Sequence, residues 1–223
     1  LLVHYAKKQG LEGSDTMVKF FEDGKDFHQV TAEMAGISRK EAKTIGLSLM
    51  YGMGIKKLAA DLECTEEQAK SLKKKYNANV SFLKNIVTKA TRYASNQGFI
   101  TTLMGRKCRF NLWTSRDFNN RKVFSEENAI KEWSWNEIER AHTYKALNRL
   151  IQGSAADQTK TAMVNLRKQV GVIPMIQIHD ELNVSIANET QVKEIKEIME
   201  TAVELHVPVK CEVKIGKNWG EAK

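Results

Sequence analysis

The sequence predicts an α+β fold, predominantly helical, with helices packed on one face of a small antiparallel sheet. Three observations carry that prediction. Ser38 to Gly54 reads as a helix marked at both ends, several other stretches repeat apolar residues at three- and four-residue steps, and the chain after Gly171 switches to apolar/polar alternation. With 223 residues and 42% hydrophobic content the chain can bury a real core, as one large domain or two modest ones.

Leu1-Leu2-Val3-His4-Tyr5-Ala6 has the look of an element already under way, without an initiator Met or a polar lead-in, so a piece of a longer protein is expected. Residues 16 to 34 read as short helices on either side of the polar turn Asp23-Gly24-Lys25-Asp26. Ser38 and Glu41 then form an S-x-x-E capping box, and Gly52 and Gly54 supply the helix exit. Ala42, Ile45 and Leu49 make its buried stripe, while Arg39, Lys43 and Tyr51 share an outward line. Ile55 to Leu62 continues as a short basic helix, and Thr65 with Gln68 caps another on Ala69, Leu72 and Tyr76. Val80, Leu83, Ile86, Val87, Ala90 and Ala94 stripe a further helix that stops at Gly98.

At Phe99 the pattern changes. Phe99 to Leu103 and Lys107 to Phe110, around Met104-Gly105-Arg106, predict a hairpin with a basic tip. Asn111 to Trp135 holds Trp113, Trp133 and Trp135 among both charges and reads as a partly helical excursion with no assignable role. A long helical tract is expected from about Trp135 to Val170, stopped by Gly171, with Gly153 and Ser154 as a place to bend. Met175 to Ile178 and Leu182 to Ile186 read as strands joined across His179-Asp180-Glu181. A helix from about Glu189 to His206 and a third strand, Val209 to Ile215, complete the expected elements.

Composition narrows the partners. Lys plus Arg minus Asp plus Glu is 35 − 27 = +8, and the pI near 9.3 favours a polyanion, nucleic acid first. No run approaches the roughly 18 apolar residues of a membrane span. Cys64, Cys108 and Cys211 are odd in number and far apart, which argues against a disulfide framework or a zinc site and fits a reducing cytoplasm.

Two stretches carry chemistry. Arg39 and Lys43 near the positive end of a helix, with the flat ring of Tyr51 further along, suit a polyphosphate and a base; the same line also suits an ordinary solvated face. Asp180 and Glu181 sit where two apolar strands meet. Their carboxylates suit Mg²⁺, a hard cation that takes a few carboxylate oxygens beside substrate phosphates, and they equally suit a plain polar turn. Together the two stretches suggest phosphoryl transfer with a leaving pyrophosphate.

In this combination the residues carry a resemblance. Arg39-x-x-x-Lys43-x-x-x-Leu47-x-x-x-Tyr51-Gly52 resembles the fingers-helix motif of family A DNA polymerases, and Ile178-His179-Asp180-Glu181 resembles the carboxy-terminal palm motif of that family. Asp26-Phe27-His28 with Thr31-Ala32 is similar to the segment leading into the fingers helix, and Asn148-x-x-x-Gln152-Gly153-Ser154-Ala155-Ala156-Asp157 to the palm helix beside the primer-template. Thr102 to Lys107 and Asn218-Trp219 also find counterparts. The likeness spans nearly the whole chain in order.

The resemblance implies template-directed DNA synthesis from dNTP by a two-metal mechanism. It implies a palm element at 1–15, fingers at 16–143 and a carboxy-terminal palm at 144–223. Asp180 would be a metal ligand, with Glu181 a catalytic carboxylate beside it, and Lys43 the general acid toward pyrophosphate. His28, Arg39, Lys43, Leu47, Tyr51 and Gly52 would bind the nucleotide, and Asn148, Gln152, His179 and Arg106 the DNA.

Three departures qualify this. Leu47 stands where many members have Phe or Tyr, which implies altered handling of dideoxynucleotides and a phage-type enzyme. The tract from Asn111 to Trp135 is longer than the usual connection. The first palm motif of the family, an Asp-x-Ser-x-x-Glu-x-Arg type strand, does not occur; by the resemblance it would precede Leu1. The chain alone is therefore expected to lack polymerase activity and to need an amino-terminal portion or subunit that carries the thumb, the rest of the palm and the other ligands of two Mg²⁺ ions. Two rivals remain at this point: a fragment of a single-subunit RNA polymerase, and a non-catalytic nucleic-acid-binding module.

Overall fold

Helix signals dominate the first hundred residues, and the structure, a computed structural model that describes residues 1–222, is helical there. The helices are α1 (Leu2–Lys8), α2 (Ser14–Glu22), α3 (Phe27–Ala35), α4 (Arg39–Tyr51), α5 (Ile55–Asp61), α6 (Glu66–Asn79) and α7 (Ser81–Gln97). Both capping boxes form. Ser38 and Glu41 exchange bonds at the start of α4, and Thr65 and Gln68 do so at the start of α6, so orphan backbone donors find partners at each end. Gly36, Gly52 and Gly98 end their helices in the left-handed conformation.

One large core joins these helices. Val3, Met17, Val30, Ile45, Leu58, Tyr76, Phe82 and Leu83 are all buried in it, with Leu147 reaching in from the carboxy-terminal half. Every residue assigned to the inner stripes of α4 and α6 is buried or half-buried, because apolar positions recurring at helical period must meet the same neighbour.

The second half is built from small sheets. β1 (Phe99–Thr101) pairs with β2 (Lys107–Arg109) in the expected hairpin, Ile100 opposite Cys108. Next come β3 (Leu112–Ser115), β4 (Val123–Ser125), α8 (Glu126–Glu132) and β5 (Ile138–Arg140), with antiparallel order β4-β3-β5. Then follow α9 (Ala146–Val170), β6 (Ile176–Ile178), β7 (Glu181–Asn183) and α10 (Glu189–Glu200). No helix is long and apolar enough among the described residues to cross a membrane.

Several expectations are corrected. The 111–135 tract is partly helical as expected, through α8, but it also holds β3 and β4, and it closes on its own small core of Trp113, Ala129 and Ile138, with Phe124 and Trp133 against it. Period-two alternation over three- and four-residue strands is too short to stand out from a polar sequence. The long helix starts at Ala146, because Trp135–Glu137 forms a 3-10 turn and Ile138–Arg140 is the strand that completes this sheet. It runs through Gly153 and Ser154 without a break. The helix expected to reach His206 ends at Glu200, and Thr201 turns its hydroxyl back on the Glu197 carbonyl.

Val209 to Ile215 is not a strand. Its alternation is real, but an extended segment becomes a strand only where a neighbour accepts and donates its backbone bonds, and none is beside it among the described residues. The single helix-covered sheet is accordingly replaced by three separate antiparallel sheets, the last of them only β6 and β7.

Candidate nucleotide and nucleic-acid site

The site grows from the α3–α4 corner. Asp26 caps α3 by accepting from the Gln29 N–H at 2.8 Å. The same carboxylate receives the Arg39 guanidinium in a fork, Nε to Oδ1 at 2.9 Å and Nη2 to Oδ2 at 3.1 Å. Arg39 stays on the exposed line predicted for it but is braced across the corner by this pair. This pair holds the Asp26 carboxyl below its ordinary range and raises the guanidinium further. Asp26 was legible only as part of a motif; its place as helix cap and arginine partner needed the corner.

His28 lies one turn into this corner, half-buried, with Nδ1 enclosed and without a partner. Burial lowers its pKa; the charges of Arg39 and Lys43 lower it further, against the opposing pull of Asp26. The imidazole is therefore neutral near pH 7, inside the field of both cations. Lys43 is exposed and joins no ion pair among the described residues. One neutral imidazole, one braced guanidinium and one free ammonium make a surface suited to a chain of phosphates.

The far end of α4 is fixed by two contacts with the second half of the chain. Gln152 of α9 donates Nε2 to the Tyr51 hydroxyl at 3.1 Å. Gly52, at φ +63°, has the Tyr144 ring so close that a Cβ would lie 2.6 Å from its Cδ2, so both the turn and the contact require glycine. Tyr144 was missed, and a lone Tyr in a short 3-10 turn gives no sequence signal. Leu47 is half-buried on the same helix, between the Lys43 and Tyr51 turns.

Arg106 from the β1–β2 hairpin does not reach freely into solvent. Its Nε and Nη2 donate to Asp157 Oδ1 at 3.0 and 2.8 Å, and Nη2 also donates to the Gly153 carbonyl at 2.8 Å. Burial alone would raise the Asp157 carboxyl, but bonds from Thr102, Arg106 and the Met104 N–H outweigh it and hold the group below its ordinary range. Gly153 lets the hairpin approach: a Cβ there would meet Thr102 Cγ2 at 2.7 Å. Ser154, fully buried, accepts from the Leu103 N–H at 3.0 Å and shares a 2.6 Å bond with the Tyr5 hydroxyl. The Gln152-to-Asp157 run is thus a junction that locks hairpin and α1 to α9. Asn148 is half-buried one turn before Gln152.

Asp180 lies at the tip of the β6–β7 hairpin. Ile178 pairs with Glu181, so the turn is His179-Asp180, and Glu181 is the first strand residue rather than part of the turn. His179 takes φ +54°, a conformation where Gly is the ordinary choice, and its carbonyl accepts from Gln177 Nε2 at 2.6 Å. Glu181 accepts from the Asn183 amide at 2.9 Å. Both carboxylates are exposed. No group of three or more His, Cys, Asp or Glu is assembled among the described residues. Asp180 fits one carboxylate position of a Mg²⁺ site; the described residues do not make a whole one.

A capped cationic helix, a locked helix beside it and a carboxylate hairpin are the features this chain shares out between its two halves. The chain belongs to DNA polymerase family A, whose family model matches residues 10–221. It is 33% identical to a DNA-directed DNA polymerase of Pseudomonas phage M6, over 100% of this chain and 35% of that protein. To the thermostable DNA polymerase I of Thermus aquaticus it is 29% identical, over 96% of this chain and 25% of the relative. Among solved structures it resembles the POL domain of Pol1 from M. smegmatis, in complex with DNA primer-template and dNTP. That match has a TM-score of 0.73 and 26% identity, over 92% of this chain and 36% of the other. The chain therefore spans about a third or less of the length of these relatives.

Proposed function

We propose that this chain is the fingers and carboxy-terminal palm of a template-directed DNA polymerase that transfers a nucleotidyl group from dNTP to a primer 3′-OH. The observation that carries the proposal is the convergence of His28, Arg39 and Lys43 on the α3–α4 corner, with Tyr51 at the other end of α4 bonded to Gln152. In this reading 1–15 is a palm element, 16–143 the fingers and 144–223 the carboxy-terminal palm.

Each residue then has a task. Arg39 and His28 hold the outer phosphates, Arg39 sharing its fork between Asp26 and the ligand. Tyr51 lies under the base, with Leu47 and Gly52 shaping its surroundings. Asn148, Gln152, His179 and Arg106 face the primer-template, Arg106 by positioning the hairpin on α9. The 3′-hydroxyl gives its proton to solvent and its oxygen bonds to the α-phosphorus as the bond to the bridging oxygen of pyrophosphate breaks, and Lys43 gives its proton to that leaving group. Mg²⁺, when bound, would neutralise charge that develops in the transfer. Asp180 would be one of its ligands, with Glu181 beside it, and residues outside this chain would supply the others.

Two features support an amino-terminal portion or subunit as partner. Asp180 has too few neighbouring ligands, and apolar side chains of the last third, Met175 at 73% and Ile215 at 61% exposure, are uncovered. The host cytoplasm, for a phage-encoded enzyme, is the place of action.

Primer extension with and without the added amino-terminal portion tests the proposal. The chain alone is expected inactive and the completed enzyme active with deoxynucleotides. In that enzyme Lys43→Ala should lower kcat by roughly 10²–10⁴-fold, and Asp180→Ala should abolish extension. Intact extension by the Asp180 variant would favour a binding module, and preferential ribonucleotide incorporation would favour an RNA polymerase.

A further inference from the structure

α6 carries Lys70, Lys73 and Lys74 at three- and four-residue steps, which places them on one face within about 100° of arc. Lys84 of α7 and Ile55, the first residue of α5, face them, and with Asn77 they line a concavity of about 450 Å³. No carboxylate lines it. The four ammoniums join no ion pair among the described residues, whereas the next lysine, Lys75, turns away and donates to the Gly36 carbonyl at 2.8 Å. Like charges at this helical spacing repel one another; Glu66 and Glu67, one turn before Lys70, are the acidic residues of α6 and stand outside the concavity, so the cluster keeps its excess of positive charge.

We propose that this concavity binds the sugar–phosphate backbone of unpaired DNA, the template strand as it runs to the base-reading end of α4. Position argues for that ligand. Ile55, which lines the concavity, stands four residues beyond Tyr51 in the chain and opens α5, the helix that follows α4 and packs on α6, so the concavity is built on the element next to the one where the proposed function puts a base. Chemistry agrees: lysines are point charges without the planar fork that fixes a carboxylate or one phosphate group bidentately, so they suit a repeating backbone read without sequence preference. The aliphatic stems and Ile55 supply an apolar floor for the sugars.

The inference rests on the polymerase reading for the identity of the strand, and the test scores the two separately. Binding of a labelled oligodeoxythymidylate to the 223-residue chain is measured by anisotropy across salt concentrations. Each phosphate contact on a single strand contributes about 0.7 to the slope of log K against log salt. The variant Lys70→Gln/Lys73→Gln/Lys74→Gln/Lys84→Gln is expected to lose about 2 to 3 of that slope. A charge-matched control, Lys8→Gln/Lys19→Gln/Lys131→Gln/Lys193→Gln, should lose less than about 0.7. Gln and Lys have similar helix propensity, so the pocket variant should melt no lower than the wild type.

Equal losses in the two variants, or an unchanged slope in the pocket variant, would overturn the proposal. So would an equal loss of affinity for inorganic tripolyphosphate, which would mark a site for free polyphosphate. dTTP binding should be unaffected by the pocket substitutions. A wild-type chain that bound the oligonucleotide but no dTTP would sink the α4 reading and leave the lysine site standing.

Discussion

Helix α4 and the β6–β7 hairpin carry the two halves of the proposed chemistry, and they are supported very differently. α4 has a capping box at one end and a glycine-ended turn at the other, and it buries Ala42, Ile45, Gly46 and Ser48 against the main core. The hairpin has three residue pairs, and only its second strand packs inward, through Leu182, against Leu166, Ile195 and Ile198. Ile176 and Ile178 face solvent. An isolated two-stranded hairpin is marginal in water. The difference teaches that the proposed nucleotide surface is preorganised within this chain, whereas the same proposal requires the carboxylate to acquire its setting from a neighbour.

The largest expected effect breaks that comparison if it fails. Ile45→Ala removes a fully buried side chain under α4 and should cost about 2–5 kcal/mol in urea unfolding. Ile178→Ala, on the exposed strand, should stay within about 0.5 kcal/mol. Similar losses at both positions would mean that the hairpin is as well anchored as the helix.

The next effect concerns the carboxy-terminal side. His4 accepts from the His206 N–H at 3.1 Å and stacks on the His206 ring at 5.0 Å. Burial pushes its pKa down to about 4, helped by the charge of His206. A folded pKa below the unfolded value of about 6.5 means that the proton favours the unfolded chain. This stability is complete above about pH 6.5 and is lost as the pH falls toward 4, by about 3 kcal/mol at most. An NMR titration should find His4 neutral at pH 5.5, and urea midpoints should fall between pH 7 and pH 5. A His4 that titrates near 6.5 would show that this contact is loose.

The smallest effect sharpens the description of α4. Gly52→Ala places a Cβ in a left-handed turn, at about 1–2 kcal/mol, and pushes against Tyr144. Circular dichroism should change little while dNTP affinity falls. Unchanged affinity would show that the Tyr144 contact only closes the helix and does not place Tyr51.

What was legible in the sequence was what neighbours along the chain decide. Ser38 with Glu41, Thr65 with Gln68 and the stop at Gly98 are settled within a few residues, so the helices around them form where expected. The β1–β2 hairpin follows equally from its glycine turn. The 112–140 sheet was not legible, because β3 pairs with β5 only after an intervening strand and helix, and the Trp side chains that close its core are scattered among charges. In the site, Lys43 was placed correctly as an exposed cation, but the charge partners of Arg39 and Arg106 were not visible. Asp26 is thirteen residues from Arg39, and Asp157 is fifty-one from Arg106.

By itself the sequence determined the capped helix, its cationic line and the alternation around Asp180, because periodicity and caps act over one or two turns. Tertiary structure alone decided that Arg39 is braced by Asp26, that Tyr51 meets Gln152, that Val209 to Ile215 finds no strand beside it and that four lysines meet in one concavity. Each of those outcomes depends on which distant surfaces come together, and a backbone bond or a charge has no value until its partner arrives.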